Sequence, residues 1–222
     1  MKILGINASP KGAKSETLKL VKAVLDGAKA QGGKVELVDI CKLKIEYCNA
    51  CGVCHKRGKC AKKDDFPFLY GKILAADGLV IGSPNYFMSV TAQLKTLIDR
   101  MAGAIHCQLL AGKYGVAVAT SGGIGQEKQV TDYLTALMIN FGVFVTGSVG
   151  VSMRSGSGNF ESARKRAFHL GESLTVDILA GKIFKKQKSK HEENRTYFQD
   201  LVKMYKDEWP HEYQYWDEQG WR

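Results

Sequence analysis

Four of the six cysteines, Cys48, Cys51, Cys54 and Cys60, fall within 13 residues as a Cys-x2-Cys-x2-Cys-x5-Cys run. Two-residue spacings let successive thiolates turn toward one centre, the arrangement that iron–sulfur clusters use. Four soft thiolates also suit zinc, and a reduced, metal-free quartet is the third option. Cys41 and Cys107 lie outside the spacing and read as small buried side chains. Cys51 and Arg57 also match Cys-x5-Arg, the nucleophile-and-cradle pattern of tyrosine phosphatases. In that pattern the cysteine directly follows the first strand, where this chain has Ser9-Pro10-Lys11, so the phosphatase reading is set aside.

A second chemistry sits near the N-terminus. Ser9, Lys11, Ser15 and Thr17 surround the start of an amphipathic helix that Ser15 or Thr17 can cap. Free loop N–H groups, the helix dipole and these donors together favour an anion such as a phosphate. The loop has neither the Gly-x-Gly-x-x-Gly fingerprint of dinucleotide folds nor a Gly-Lys-Ser/Thr ending. A mononucleotide's single terminal phosphate suits it better. Two further loops complement it. Pro84, Asn85, Tyr86 and Phe87 offer aromatic and proline packing with backbone hydrogen bonds for a flat, partly apolar ring. The run from Thr120 to Glu127 carries glycines that let main chain approach a ring edge. That combination suits a flavin.

The elements that must position these loops read as alternating strands and helices. Lys2–Ala8, Lys34–Ile40, Asp77–Ser83, Lys113–Thr120 and Val143–Val151 are short apolar runs of the buried-strand kind. Between them, apolar faces recur at helical spacing: Leu18 to Ala28, Val90 to Ile105 with Ser89 as its cap, and Val130 to Phe141. Ala163 to Ile178 gives one more. Alternation of this kind means parallel pairing through right-handed crossovers and a three-layer open α/β sheet. Five strands predict the order 2-1-3-4-5, whose ligand edge lies off the carboxyl ends of the first and third strands. The three loops meet there, and the cysteine run is an insertion after the second strand. Residues 1–182 read as one domain with the insertion at 48–60, followed by a C-terminal helix and aromatic arm at 183–222.

The formal net charge is +10, with five Lys/Arg between Lys56 and Lys63 and another group from Lys182 to Lys190. No nucleic-acid motif accompanies either, so the charge reads as a surface for anionic substrates or acidic proteins. No apolar run spans a bilayer and no secretion signal opens the sequence, which predicts a cytoplasmic protein with no membrane partner.

Ser9-Pro10-Lys11 with Ser15-x-Thr17, Gly82-Ser83-Pro84-x-Tyr86, Gln93-Leu94-Lys95-x-x-Ile98-Asp99-Arg100 and Ser121-Gly122-Gly123 resemble the NADPH-dependent FMN reductase group of flavodoxin-like proteins. The likeness spans roughly residues 2 to 150. It implies flavodoxin-like topology, bound FMN and a homo-oligomer, dimer or tetramer. It places the FMN phosphate at Ser9, Lys11, Ser15 and Thr17. Ribityl and ring contacts fall at Pro84, Asn85, Tyr86 and Phe87, and further ring contacts at Thr120, Ser121, Gly122 and Gly123. Glu16 departs from the pattern, which often has Asn; an acid there is tolerable if it points to solvent. Within the group, the cysteine spacing resembles iron–sulfur flavoproteins and implies a [4Fe-4S] cluster on Cys48, Cys51, Cys54 and Cys60.

The resulting expectation is an FMN-dependent oxidoreductase that takes electrons from NAD(P)H or an iron–sulfur donor. No catalytic acid or base is singled out, because the flavin supplies the redox chemistry and the protein orients and tunes it. The alternative is an iron–sulfur flavoprotein electron carrier exchanging single electrons with ferredoxin, for which Lys56–Lys63 suits docking. A flavoprotein with zinc or no metal at the cysteines is the third reading. Trp209, Trp216 and Trp221 are all the tryptophans, and they lie in an acidic tail after Asp207. The tail is expected to be an arm anchored on a neighbouring subunit.

Overall fold

A computed structural model describes residues 1–221; Arg222, the end of the expected arm, lies outside the described residues. Ile3, Leu4 and Ile6 are all buried, so the first strand is covered on both faces as a central strand must be. The chain runs β1 (Lys2–Asn7), α1 (Glu16–Ala30), β2 (Lys34–Asp39), then the cysteine-bearing segment with its short α2 (Val53–Arg57). It continues through α3 (Phe66–Ala75), β3 (Gly78–Pro84), α4 (Ala92–Asp99) and α5 (Ala102–His106). There follow β4 (Tyr114–Ser121), α6 (Gln126–Asn140), β5 (Phe144–Ser152), α7 (Ser157–Leu179), α8 (Lys185–Met204) and α9 (Pro210–Glu218).

The five strands are parallel in the order β2-β1-β3-β4-β5, as the alternation predicted. Each face has its own core. Ile3, Val80, Val116 and Val118 pack with Val21 and Val24 of α1 and with Ala163, Ala167 and Leu174 of α7. Leu4, Ile6, Leu79 and Ala117 pack with Leu69 of α3, Leu94 of α4 and Leu134 of α6. The two helices of the first face touch backbone to backbone. A Cβ at Gly27 would lie 1.9 Å from the Phe168 carbonyl oxygen, and one at Gly171 would lie 1.8 Å from that of Val24. Only glycine allows that approach.

Two helix readings change. The apolar face from Val90 to Ile105 is split between α4 and α5, because Arg100 N–H bonds the Leu97 carbonyl and Met101 N–H that of Ile98, a tight turn between the helices. The turn lets the Arg100 side chain leave the helix for a buried partner. Thr91, and not Ser89, caps α4: its Oγ1 accepts from Leu94 N–H and donates to the Ala8 carbonyl. Ser89 is used instead in a reciprocal backbone pair with Tyr86.

The segment after 182 packs back on the same body. Gln187 of α8 accepts from Val145 N–H at 2.7 Å and donates to Val145 C=O at 2.9 Å, which satisfies the free side of edge strand β5. Trp216 of α9 is 3% exposed and donates its indole N–H to the His106 carbonyl. The tail thus has anchorage within its own chain, through Trp209 and Trp216. The signal for this was hidden because its partners, α2 and α5, are distant in sequence. Among the described residues no helix is long and apolar enough to cross a membrane.

Candidate functional site

Strand carboxyl ends deliver the first site. β1, β3 and β4 stop at one edge, and the loops after them close on a cavity of about 170 Å³. Ser9, Lys11, Thr17, Pro84, Asn85, Tyr86, Thr120, Ser121 and Gly122 line it. Ser15, Phe87 and Gly123 do not. Ser15 is spent on the helix start, where its Oγ accepts from Leu18 N–H at 3.0 Å. Phe87 stands fully exposed at the tip of a tight turn, and Gly123 offers its carbonyl oxygen to Ser121 Oγ. Sequence reasoning missed Met153, which lines the cavity from beyond β5. Glu16 also lines it, but its carboxylate pairs with Lys19 at 2.9 Å, partly in solvent, so its charge is offset.

The donor set suits an anion with a polar chain. Ser9, Thr17, Thr120 and Ser121 are buried. Thr17 Oγ1 and Thr120 Oγ1 lie 2.6 Å apart; one donates to the other, and the acceptor's own proton remains for a ligand. The first-turn N–H groups of α1 have no intrahelical acceptor and lie at the same place. Asn85 is fixed from both sides: its N–H donates to the Thr120 carbonyl at 2.7 Å and its Nδ2 to the Gln126 carbonyl at 3.2 Å. Phe87 and Met88 adopt φ of 48° and 66°, a left-handed conformation that costs bulky residues energy. The turn thereby holds Tyr86 at the cavity and leaves Phe87 and Met88 exposed beside it.

The second site is built from irregular chain. Cys48, Cys51, Cys54 and Cys60 all line one cavity of about 300 Å³, with Arg100 and Trp209 in its wall. Ala50 and Gly52 have φ of 54° and 70°, so the backbone turns sharply between successive cysteines. All four are free thiols. Burial and the nearby Glu212 carboxylate push the Cys54 thiol up, so a metal must displace its proton. Among the described residues, the group close enough to hold a single ion is not the cysteines but His55, His106 and Glu212, whose ligand atoms lie within 4.8 Å. The four cysteines line the cavity beside it.

Two networks from elsewhere in the chain hold that space. Arg100, almost wholly buried, pairs with buried Asp64, donates to the Glu46 carbonyl at 3.1 Å, and donates to Cys60 Sγ at 3.2 Å. Burial alone would raise the Asp64 carboxyl, but Arg100 and the Glu46 and Phe66 N–H groups hold it below its ordinary value. Glu212 of α9 has 0% side-chain exposure and is bonded by His55 Nδ1 at 2.7 Å and His106 Nδ1 at 2.9 Å. Burial would raise it, and the two imidazoles bring it below the usual carboxylate range. The Trp209 ring stacks on both imidazoles at 4.7 and 4.6 Å. Sequence reasoning named none of these as site residues. Arg100 stood in a family-like motif, whereas Glu212 carried no local signal at all.

A doubly wound parallel sheet with a hydroxyl-lined cavity at the switch point between β1 and β3 defines the flavodoxin-like class. The chain belongs to the NADPH-dependent FMN reductase family, whose model matches residues 1–158. An iron–sulfur flavoprotein of Archaeoglobus fulgidus is 31% identical over 221 residues, 99% of each chain. One from Methanosarcina thermophila is 37% identical over 134 residues, 59% of this chain and 69% of that one. Among solved structures, a flavone reductase superposes with a TM-score of 0.65 at 21% identity, covering 80% of this chain and 63% of its own length. An FMN-dependent NADH-azoreductase of Bacillus anthracis in complex with FMN gives 0.61 at 17% identity, covering 79% of this chain and 100% of that one.

Proposed function

We propose that this chain is an FMN-dependent oxidoreductase carrying a [4Fe-4S] cluster, with NAD(P)H or a reduced iron–sulfur protein as electron donor. The observation that carries the reading is the pairing of two cavities in one chain, one lined by hydroxyls and Lys11, the other by all four cysteines of the compact run. Ser9, Lys11, Thr17 and the first turn of α1 would take the phosphate. Pro84, Asn85, Tyr86, Thr120, Ser121 and Gly122 would flank the ribityl chain and ring, with Ser15 supporting them as helix cap and Phe87 and Gly123 at the rim. Bound there, flavin accepts a hydride or single electrons and returns them to an acceptor. Cys48, Cys51, Cys54 and Cys60 would hold the cluster, a one-electron centre whose potential responds to hydrogen bonds at its sulfurs. The compact Cys-x2-Cys-x2-Cys run supports a multi-iron cluster over a lone zinc.

The chain's own residues do the rest. Arg100 orients Cys60 and supplies positive charge beside it; Glu212 and Trp209 hold α2 against α9. Tyr86, Phe87, Met88, Ile124 and Met153 form an exposed apolar rim around the FMN cavity, which suits cover by a second copy of this chain in a homo-oligomer. A specific observation favours single-electron exchange with an acidic ferredoxin as a second reading. Cys48 and Cys51 are exposed, and exposed Lys56, Arg57, Lys59 and Lys63 lie close to them in sequence.

Anaerobic visible spectroscopy tests the proposal. The purified protein should show flavin bands on a broad cluster absorbance, and NADPH, NADH and reduced ferredoxin should each be tried as reductant. A protein that stays colourless after incubation with FMN, iron and sulfide contradicts it, as does one that none of the three reduces.

A further inference from the structure

A further cavity of about 260 Å³ shares Cys54, Cys60 and Arg100 with the cysteine cavity and none of the residues of the hydroxyl cavity. Its wall is aromatic, with Phe66 and Tyr70 of α3 and Tyr215 of α9. Lys59 lies at its edge, exposed and without an ion pair among the described residues, and no Asp or Glu lines it. Two glycines open onto it from helices. Gly71 sits in the middle of α3 and a Cβ there would meet nothing within 4 Å; at Gly103 of α5 a Cβ would meet only Glu212 Oε1 at 3.8 Å. Neither glycine has a positive φ. A helix-interior glycine is less stable than alanine, and here no backbone conformation and no close neighbour calls for it. What the missing side chains leave is room in the cavity. Arg100, which lines this cavity and the cysteine cavity, also keeps a buried Nε–H without a partner in the protein.

We infer that this cavity is a binding site for a small planar aromatic anion of one or two rings, seated between the stacked Phe66–Tyr70 pair on one side and Tyr215 on the other, with its carboxylate toward Lys59. Ring stacking and apolar cover supply most of the binding, and the uncompensated cation selects the charge. The volume falls just under the range of about 300–1,000 Å³ usual for drug-sized ligands, which limits the occupant to a small one. Cys54 and Cys60 form the common wall with the cysteine cavity, so the occupant lies beside the residues proposed to hold the cluster. The site itself stands on the chain's own geometry and needs neither cofactor.

Anaerobic titration calorimetry of the purified, cofactor-loaded chain tests this with naphthoate and its neutral counterpart, naphthylmethanol. Naphthoate should bind saturably without perturbing the flavin absorbance. Gly71→Leu, which fills the cavity from a helix that tolerates the side chain, should weaken it at least about tenfold. Lys59→Gln should weaken naphthoate about two- to fivefold and leave naphthylmethanol unchanged. Gly103→Leu repeats the filling from the opposite helix, in case Gly71→Leu does not fold. Absence of saturable binding to the parent overturns the inference. So does unchanged affinity in a folded filling variant, or binding that shifts the flavin bands and so reports stacking at the other cavity.

Discussion

The hydroxyl cavity and the cysteine cavity are held by different physics. The first hangs on three strand ends whose positions are set by the sheet, with Ile3, Val80 and Val116 packed on one face and Leu4 and Leu79 on the other. Its loops are short and are pinned onto the sheet edge itself, Ser15 to Leu18 at the start of α1 and Asn85 N–H to the Thr120 carbonyl at the end of the neighbouring strand β4. The cysteine cavity lies in chain with little regular structure between β2 and α3. Its shape depends on Asp64–Arg100 and on His55–Glu212–His106, pairs that reach across 36 to 157 residues. A cavity built on a sheet survives loss of its ligands; one built on distant ion pairs depends on each of them.

The largest expected effect separates the two by their contents. Cys51→Ala should abolish iron and sulfide retention and leave FMN bound, whereas Cys41→Ala should do neither, since burial and Asp39 hold the Cys41 thiol up at about 11. Equal iron loss from both variants would show that the ligand set is wrong.

Next in size is the tail. Removing the residues after Asp207 takes away Trp209, Glu212 and Trp216, so the cysteine segment should lose its metal while FMN stays. The mass by light scattering should not change, because the tail packs on its own chain. A halved mass with loosened FMN would favour the arm reading. Glu212→Ala is the sharper form. It strips a buried acceptor from two imidazoles at about 1–3 kcal/mol, and faster iron release to a chelator with unchanged FMN affinity is the expected result.

Legibility in the sequence followed the same divide. Strand and helix order, the edge at which the loops meet, and most of the hydroxyl cavity were readable because apolar periodicity and turn residues are local signals. Ser15, Phe87 and Gly123 were placed in that cavity by motif, and the structure gives them the cap, the rim and a loop carbonyl. For the cysteine cavity only the ligand spacing was readable. Arg100 closes a family-like motif that does not point to the cysteines, and Glu212 reads as one acid of an acidic tail. Their importance comes from burial beside partners far along the chain, which no window of sequence reports. Three tryptophans in the tail signal an interface; Trp209 and Trp216 meet α2 and α5 of the same chain, whereas Trp221 packs on Tyr213 of α9 and Lys203 of α8.

On the other cavity, Ser9→Ala with Thr17→Ala removes two donors from a charge-assisted network worth about 1.5–3 kcal/mol per bond. FMN affinity should fall at least about tenfold by fluorescence titration, with iron content unchanged. Unaltered affinity in the folded double variant would assign the loop another task.

The smallest effect concerns α8, which closes the sheet beside the tail. Burial against Phe144 holds the His191 imidazole below its ordinary 6.5, with its Nε2 unpartnered. The unfolded chain therefore takes up the proton first as pH falls. Stability is whole above 6.5 and is lost progressively below it, until the folded-state value is passed. His191→Phe should flatten the fall in Tm between about pH 7 and about pH 5. A parallel fall in both proteins would remove His191 from the account.

Chemical analysis of the anaerobically purified chain bears most directly on the idea of two cofactor sites held by two kinds of structure. Iron, acid-labile sulfide, zinc and FMN should be measured on one sample, before and after brief exposure to a chelator. The expected result is about four iron, about four sulfide and about one FMN per chain, with little zinc, and loss of iron but not FMN to the chelator. Stoichiometric zinc, four reactive thiols with no metal, or loss of FMN in step with iron would contradict it.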